Sequence, residues 1–314
     1  MKVMTVFGTR PEGVKMAPII KELQKRDGIE QVICITAQHR EMLDQVTDLF
    51  GIVPDYDLNI FKPGQTLTDI TVNSLMGLED VIRKENPDVL LVQGDTTTVF
   101  AGALAAFYQK IKIGHVEAGL RSGNLYSPYP EEANRKLVGV LTDFHFAPTK
   151  TNMENLLKEG YPEDKIYITG NTVIDALKYA VSQDYSFQDD RLNSLDFGNR
   201  KVILLTSHRR ENLGEPMENV FKAVSDALKM VPEALVVFPV HLNPKVREIA
   251  NRILGDNPAV YLTEPMDYEP FTNLMSRCYM AVTDSGGLQE EAPALGKPVL
   301  VIREETERPE GITA

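Results

Sequence analysis

The sequence contains almost no cysteine. Its two cysteines, Cys34 and Cys278, lie far apart, and no CxxC pair or Cys/His cluster surrounds either of them. A disulfide framework and a structural zinc site are therefore not expected. Long apolar runs are also missing, and the first residues follow a strand pattern without the apolar region and cleavage site of a signal peptide. These absences indicate a protein of the reducing cytoplasm with no membrane partner.

Basic residues are fewer than acidic residues in this sequence. The 314 residues include 33 Lys and Arg against 45 Asp and Glu, which gives a formal net charge of −12. Nucleic-acid-binding proteins need a basic surface, so this composition excludes a general nucleic-acid-binding function. An anionic small ligand stays compatible with the sequence if a few arginines, lysines or helix N-termini concentrate positive charge where it binds.

Short β-branched runs alternate with helical patterns along most of the chain. Such alternation predicts parallel sheets with right-handed crossovers, and the prior of ~150 residues per domain suggests two domains. Residues 183–199 are polar and acidic and interrupt the alternation, which is typical of a linker. We therefore expect an α/β protein with two Rossmann-like doubly wound domains, 1–182 and 200–314, that face a central cleft. The final βα unit looks unfinished, so the second domain is expected to be incomplete.

Three acids within residues 93–135 follow an apolar strand pattern or begin a helical one. Asp95 and Glu117 each come just after such a strand, and Glu131 opens a helical pattern. Because the ends of successive parallel strands lie side by side, these acids could share one cleft. One such acid is explained by helix capping. Three together favour proton transfer, in which burial and mutual repulsion separate the pKa values.

A metal site at the same three acids is the alternative interpretation. With a histidine they could hold a divalent ion, but the sequence has no HExxH, DxD or similar local signature. We therefore expect no metal.

Two turns carry the residue types of a ligand site. The turn GTRPEGVK, residues 8–15, places Arg10 and Lys15 at the start of a helix. Backbone amides and a guanidinium at such a place can bind a phosphate. Taken alone, however, the motif is better explained as a simple helix start. In TDSGGLQEE, residues 283–291, two glycines would let the backbone approach a ligand, and Glu291 could accept hydrogen bonds from a diol. A capped helix with a favourable first-turn acid explains the second turn equally well.

Basic residues gather at one further strand end. In SHRREN, residues 207–212, His208, Arg209 and Arg210 follow a strand pattern, and His241 has the equivalent place one strand later. In an acidic chain, this location favours phosphate binding over mere solvated charge.

Together these motifs resemble the non-hydrolysing UDP-N-acetylglucosamine 2-epimerases of bacteria and archaea. The resemblance runs along essentially the whole chain. The motifs that carry it are, in order, GTRPEGVKMAPII, QHREMLDQ, QGDTTTVFAGALAAFY, GHVEAGLRSGNLYSPYPEEANR, TGNTVIDAL, HRRENLGEPMENVF, PVHLNP and TDSGGLQEEAPALGKPVLVIREETERPEG.

The resemblance implies a glycosyltransferase-B-like fold and the interconversion of UDP-N-acetylglucosamine and UDP-N-acetylmannosamine. In that family UDP is eliminated to give 2-acetamidoglucal and then adds back, without a nicotinamide cofactor or an obligatory metal. The product would supply cell-surface polysaccharide precursors. The resemblance also implies a homodimer.

The resemblance assigns roles to residues at matching positions. The catalytic set would be Asp95, Glu117, Glu131 and His208, with the base and the proton donor not distinguished. The UDP-sugar site would comprise cationic residues at the phosphates, a turn and an acid at the ribose, and a ring at the uracil. These residues are Arg10, Lys15, Arg135, Phe271, Ser285, Gly286, Gly287 and Glu291.

A second, activating site for UDP-N-acetylglucosamine is known in many bacterial members of that family. Gln38, Arg209 and His241 fall where it is expected. Glu41 and Gly64 stand where the most similar members carry Gln and Arg, so the sequence does not establish that activation is kept.

Three alternative functions stay open at this point. A hydrolysing epimerase would release N-acetylmannosamine and UDP, and a glycosyltransferase of the same fold would need an acceptor. A non-catalytic nucleotide-sugar-binding module is the third alternative, although the presence of all three acids argues against it.

Overall fold

The computed structural model describes residues 1–38, 40–209 and 212–303. Its contacts divide the chain into two units, Met1–Ala176 and Leu177–Ala314. His39 and Arg210, and the final residues on which an unfinished βα unit is expected, lie outside the described residues.

The first unit contains a seven-stranded sheet in the order β3-β2-β1-β4-β5-β6-β7. All of its strand pairs are parallel. Its strands are β1 (Lys2–Phe7), β2 (Glu30–Ile35), β3 (Tyr56–Asp57), β4 (Val89–Gln93), β5 (Lys112–Val116), β6 (Phe144–Ala147) and β7 (Ile166–Ile168). Its helices are α1 (Arg10–Leu23), α2 (Arg40–Leu49), α3 (Leu67–Glu85), α4 (Thr97–Tyr108), α5 (Glu131–Leu141) and α6 (Lys150–Lys158), and a 3-10 turn spans Glu163–Lys165.

The second unit contains a five-stranded parallel sheet in the order β10-β9-β8-β11-β12. Its strands are β8 (Lys201–Thr206), β9 (Ala234–Pro239), β10 (Val260–Thr263), β11 (Met280–Thr283) and β12 (Val299–Val301). The remaining helices are α7 (Val173–Ala180), in which the division between the units falls, α8 (Asp190–Asn193), α9 (Glu215–Met230), α10 (Pro244–Leu254), α11 (Tyr268–Arg277) and α12 (Leu288–Ala294).

Local sequence explains where these elements begin and end. Thr66 caps α3 in a capping box with Asp69, and Asn86 ends the same helix in the left-handed conformation, directly before Pro87. The central strands are apolar on both faces, as strands covered by helices on each side must be. Met4 and Leu90 on neighbouring strands are both fully buried.

Each sheet has a topological switch point, where the strand order reverses. In the first unit it lies between β1 and β4, and in the second between β8 and β11. The carboxyl ends of the strands at such a point form the usual ligand crevice of an open α/β sheet. The predicted architecture, two doubly wound parallel sheets, is confirmed.

The segment 183–199 differs from the linker expected from its polarity. It contains the short helix α8, and Phe187 and Leu192 are buried in the apolar core of the second unit. The polar residues between them conceal this pattern, because only a few positions face the core. Within the described residues, no helix has both the length and the apolar character that a membrane span requires.

Candidate functional site

Glu117 is held in a strained backbone conformation at the end of β5. Its φ of 65° lies in the left-handed region, which costs a side-chain-bearing residue about 1–2 kcal/mol. The carboxylate is buried, and Lys15 Nζ lies 2.6 Å from both of its oxygens. Gln93 Nε2 donates to Oε2 at 2.5 Å, and Asn171 Nδ2 donates to Oε1 at 3.4 Å. These contacts hold the carboxylate in one orientation.

Asp95 lies beside this carboxylate, since it follows β4 and β4 pairs with β5 through Gln93 and Val116. Burial raises the pKa of Asp95, and the charges of Glu117 and Glu131 raise it further, whereas Arg135 and Lys15 oppose the shift. The three predicted acids therefore lie close enough for the charges of Glu117 and Glu131 to act on Asp95.

Arg135 and its neighbour Asn134 hold Asp95 from the first turns of α5. Arg135 Nε lies 3.2 Å from Asp95 Oδ2, an ion pair in which the N–H does not point along a hydrogen bond. Asn134 Nδ2 donates to the backbone carbonyl of Asp95 at 2.8 Å. Glu131 begins the same helix, and its Oε2 is buried without a hydrogen-bond partner among the described residues. An acid with an unsatisfied oxygen can exchange a proton with a bound molecule.

Glu132 is a buried acid whose importance the sequence did not reveal. It is 0% exposed, and its carboxylate accepts the backbone amides of Ser122 at 3.0 Å and Gly123 at 3.1 Å. Arg135 Nη1 also donates to it at 3.4 Å. In the sequence, Glu132 looks like an ordinary acid in a first helical turn, where its charge interacts favourably with the helix dipole. No local signal distinguishes it from other acids at helix starts.

The turn after β1 is built around a glycine and a second buried acid. A Cβ on Gly8 would lie 2.1 Å from Thr36 Oγ1, so no larger residue fits there. Glu12 accepts the Gly8 amide at 2.6 Å, and burial raises the pKa of Glu12 to about 7. Arg10, half-buried, begins α1 between these two residues. Glu12 was also missed from sequence, because it too stands in a first helical turn.

His115 packs beneath this site. Its Nε2 lies 2.7 Å from the carbonyl oxygen of Gly94, the residue before Asp95. Burial lowers the pKa of His115 to about 4, so the ring is neutral at pH 7 and donates this bond. His115 is therefore a core histidine whose ring is hydrogen-bonded to the backbone.

In the second unit, Asp284 organises the residues at the switch point. It is 0% exposed, and its Oδ2 accepts the backbone amides of His208 at 2.8 Å and Arg209 at 3.0 Å. Ser207 Oγ and Asn212 Nδ2 donate to the same oxygen, and His208 Nδ1 lies 3.0 Å from Oδ1. Burial would raise the pKa of Asp284, but its hydrogen bonds with His208 and Arg209 outweigh that effect and lower it to about 2. The sequence did not identify Asp284.

His208 and His241 form a stacked pair with ring centroids 5.8 Å apart. The Asn243 amide donates to His241 Nδ1 at 3.1 Å, so the second nitrogen of His241 carries its proton. Burial and the nearby charge of His208 lower the pKa of His241. Arg209 Nε is buried without a hydrogen-bond partner among the described residues. Of the predicted basic cluster, His208 stacks on His241 and Arg209 is half-buried at the end of β8, and Arg210 lies outside the described residues.

The turn after β11 places Glu291 over its glycines. A Cβ on Gly287 would lie 3.1 Å from Glu291 Oε1, so the carboxylate lies against the turn that Ser285 and Gly286 begin. Burial and the charge of Glu291 raise the pKa of the neighbouring Tyr268. Phe271, in α11, packs against the apolar core of the unit.

Gln38 belongs to a chain of polar contacts beside the Gly8 turn. Its Oε1 accepts from Thr98 Oγ1 at 3.0 Å, and Thr98 Oγ1 lies 3.1 Å from Thr36 Oγ1. Glu41 and Gly64 are both exposed. The described part of the chain contains no group of three or more His, Cys, Asp or Glu side chains that could hold a metal ion.

Known proteins are similar to this chain in sequence and in structure. The family model described as UDP-N-acetylglucosamine 2-epimerase matches residues 21–314. The UDP-N-acetylglucosamine 2-epimerase of Bacillus subtilis is 56% identical over 315 residues, which cover 100% of this chain and 82% of that protein. The enzyme of the same name from Escherichia coli is 55% identical over 321 residues, which cover 100% of this chain and 85% of that protein.

A solved structure gives the same result. The crystal structure of the UDP-GlcNAc 2-epimerase from Neisseria meningitidis bound to UDP-GlcNAc is similar with a TM-score of 0.88 and 54% identity, covering 100% of this chain and 86% of that one. The glycosyltransferase-B-like fold class expected from the resemblance is confirmed.

Proposed function

The chain belongs to the UDP-N-acetylglucosamine 2-epimerase family, and on this premise we propose that it epimerises carbon 2 of UDP-N-acetylglucosamine by elimination and re-addition of UDP. It is an isomerase. The observation that carries the mechanism is the convergence of Asp95, Glu117 and Glu131. Two of them lie at adjacent strand ends, and the pKa of Asp95 is raised by burial and by the charges of the other two.

In the first step, a carboxylate removes the proton from carbon 2 and the bond between carbon 1 and the UDP oxygen breaks. The products are 2-acetamidoglucal and UDP. In the second step, the same UDP oxygen attacks carbon 1, and an acid returns a proton to the opposite face of carbon 2. The second step yields UDP-N-acetylmannosamine, and no oxidant or reductant is needed.

The acids are suited to this exchange because they differ in environment. Glu117 is ion-paired with Lys15, whereas burial raises the pKa of Asp95. Neighbouring carboxyl groups in unlike environments can act as base and acid on opposite faces of one carbon. We leave the assignment of base and acid among the three open, and deuterium labelling with single variants can resolve it.

The departing UDP carries negative charge that cationic groups must stabilise. We assign this role to Arg10, Lys15 and His208, and we assign Arg135 to orienting the acids or meeting a phosphate. Lys15 already contacts Glu117, so it can respond to charge on both the acid and the phosphate. The position of His208 is supported by its contact with Asp284, which fixes one face of the ring.

The nucleotide is assigned to the turn after β11. Backbone amides of Ser285, Gly286 and Gly287 would approach it, and Glu291 would accept hydrogen bonds from the ribose hydroxyls. Phe271 would pack on the uracil. The position of Glu291 against Gly287 supports this assignment, because it places a carboxylate at the same turn.

We also propose UDP-N-acetylglucosamine as an activator at Gln38, Arg209 and His241. Its support is the buried Nε of Arg209, which has no hydrogen-bond partner among the described residues and belongs to the residue after His208, whose ring stacks on His241. Rates measured across a range of UDP-N-acetylglucosamine concentrations would show a sigmoidal rise if this site operates. A hyperbolic rise would mean that the changes at Glu41 and Gly64 accompany a loss of activation.

The chain is further proposed to form a homodimer and to supply cytoplasmic precursors of cell-surface polysaccharides. Support for the dimer comes from α3, α4 and α5, which pack side by side and expose apolar side chains. These side chains are Val72, Met76, Phe107, Tyr108, Leu137 and Val140. Exposed apolar groups on neighbouring helices are typical of a protein interface.

The function is tested by incubating the purified protein with UDP-N-acetylglucosamine alone and following the products by proton NMR. We expect UDP-N-acetylmannosamine to accumulate to an equilibrium mixture. Stoichiometric release of free N-acetylmannosamine and UDP would instead identify a hydrolysing epimerase. Turnover only after an acceptor is added would identify a glycosyltransferase.

A further inference from the structure

The buried carboxylate of Glu132 accepts two backbone amides of the loop between β5 and α5. We propose that Glu132 is a positioning residue, which holds this loop and Arg135 in a fixed relation to Asp95. This inference rests on the proposed function, since it matters for turnover only if Asp95 takes part in proton transfer.

Two other contacts hold the start of this loop against α6. Arg121 donates to both oxygens of Glu159 at 2.8 and 2.7 Å, and Asn155 Nδ2 donates to the carbonyl oxygen of Gly119 at 3.1 Å.

Glu132 holds the next two residues from α5. The Ser122 and Gly123 amides donate to the two different oxygens of Glu132, at 3.0 and 3.1 Å. Gly123 has a φ of 79°, which only glycine adopts without strain. The outer loop residues are exposed, and the rings of Tyr126 and Tyr129 stack there on each other. Glu132 is therefore the side chain of α5 that holds the two backbone amides at which this exposed segment begins.

The same carboxylate contacts the cation that faces Asp95. Arg135 lies one turn after Glu132 in α5, and its Nη1 donates to Glu132 Oε2 at 3.4 Å. Its Nε lies 3.2 Å from Asp95 Oδ2. A guanidinium shared between two carboxylates is held in one plane, because each anion fixes a different edge of the fork. Loss of one anion leaves the guanidinium free to turn away from the other.

A purely structural role is the competing explanation. A buried carboxylate with three donors stabilises a fold, and its removal lowers stability wherever it stands. The two explanations differ in the chemical step. A structural residue changes the amount of folded protein, whereas a positioning residue changes kcat for the molecules that are folded.

Glu132→Gln is the test variant, and Asp143→Asn is its matched control. Gln has one acceptor and one donor, so it cannot accept both loop amides, and it removes the charge that faces Arg135. Asp143 also accepts a backbone amide, that of Ile113 at 3.0 Å, but at the amino end of β5, opposite to Glu117. Both variants lose a carboxylate that holds the backbone, and only one of them lies at the acids.

We expect Glu132→Gln to lower kcat at least about tenfold, because small displacements of reacting groups cost orders of magnitude in rate. KM should change less than about threefold, since Arg135 and the loop would act mainly in the transition state. Hydrogen exchange measured by mass spectrometry should accelerate at the Ser122 and Gly123 amides. Asp143→Asn should keep kcat near the wild-type value, although it also loses a carboxylate that holds the backbone.

Glu132→Asp provides a second variant if the Gln protein folds poorly. It keeps the charge but shortens the side chain, so kcat should lie between those of the wild type and Glu132→Gln. A wild-type kcat in a folded Glu132→Gln protein, or unchanged exchange of the loop amides, overturns the inference. A wild-type protein that forms no epimer refutes the proposed function instead, and the exchange experiment still decides whether Glu132 ties the loop.

Discussion

Opposing influences meet at the carboxyl group of Asp95. Burial and two neighbouring acids raise its pKa, whereas Arg135 and Lys15 lower it. The raised pKa helps this carboxyl group to hold a proton, and general acid–base catalysis requires a group that can both hold and release one. A neutral amide of the same shape would keep the packing but could not transfer a proton.

Replacement of Asp95 by Asn should therefore abolish turnover. We expect kcat to fall by about 10²–10⁴-fold, the usual contribution of a general acid or base. Binding of UDP, measured by isothermal titration calorimetry, should stay close to the wild-type value. Loss of UDP binding in a folded Asp95→Asn protein would mean that this residue has a mainly structural role.

Glu12 should make stability depend on pH in the neutral range. Its folded pKa of about 7 lies above the ordinary value of 4.5, so the stability it contributes is fully present below 4.5 and is lost as pH rises through 7. Between about pH 5.5 and about pH 8, the wild type should lose about 2 kcal/mol relative to Glu12→Gln.

Urea unfolding of the two proteins at both pH values measures this difference, because the titration of all other groups cancels in the comparison. An equal stability difference at both pH values would contradict the raised pKa of Glu12.

Single residues show what sequence can and cannot reveal about this site. Asp95 and Glu117 were identified because they follow apolar strands, and topology places such residues together. Glu12, Glu132 and Asp284 were missed because each stands in a turn or first helical turn, where an acid is common. Their significance comes from complete burial and from the amides they hold, which are properties of the folded chain.

At the scale of elements, the carboxylate of Asp284 links the end of β11 to the end of β8 in the second unit. Asp284 follows β11 and holds the backbone that follows β8, while Thr206 and Thr283, the last residues of these strands, place their hydroxyl oxygens 2.5 Å apart. The turn that carries His208 is therefore fixed by its neighbour in the sheet.

Asp284→Asn should loosen this turn. We expect a loss of about 1–3 kcal/mol in the free energy of unfolding, because an amide cannot accept all the hydrogen bonds that this buried carboxylate accepts. UDP binding should weaken with it, because the position of His208 depends on Asp284. The control is Asp196→Asn, since Asp196 accepts the Gly198 and Asn199 amides on an exposed surface and should cost far less.

The pH dependence of this effect has a defined sign. The pKa of Asp284 is lowered to about 2 from 3.8, so its stabilisation is present above 3.8 and is lost as pH falls through 2. The stability gap between the wild type and Asp284→Asn should narrow across that window. Thermal unfolding at several acidic pH values tests it, and a gap that widens on acidification would contradict the assignment.

Element boundaries were largely predictable from local signals. β5 ends directly before Glu117, and α5 begins at Glu131, where the helical pattern opens in the sequence. Residues 183–199 were not predictable, because the burial of Phe187 and Leu192 depends on contacts with distant parts of the second unit. Patterns within a short segment cannot show which distant surface will cover it.

At the scale of the whole molecule, the exposed apolar side chains of α3, α4 and α5 should hold a second copy of the chain. Met76 and Val140 are 64% and 74% exposed. The double variant Met76→Glu/Val140→Glu should convert the dimer to a monomer, because it places charge in an apolar interface. Met230→Glu, at a position 82% exposed in the second unit, is the control and should stay dimeric.

Size-exclusion chromatography with light scattering measures the mass of each protein. A wild-type monomer, or a double variant that stays dimeric, would place the interface elsewhere or exclude it.

Two doubly wound sheets could be predicted from the alternation of strands and helices, because that pattern extends along the chain. The order of the strands could not be read from the pattern. It is the strand order that places the turns after β1 and β4, and those after β8 and β11, at the two switch points. The prediction of function therefore relied on matching whole motifs. The contacts and burial that determine the chemistry of each site became visible only in the folded structure.

Deuterium at carbon 2 is the most direct test of the proposed reaction. The protein is incubated with UDP-N-acetylglucosamine in deuterated water, and both epimers are examined by NMR. We expect UDP-N-acetylmannosamine to carry deuterium at carbon 2 from its first appearance, since the returning proton comes from an acid that exchanges with solvent. Epimer that retains the original proton at carbon 2, or no epimer at all from the folded wild-type protein, would contradict proton transfer by Asp95, Glu117 and Glu131.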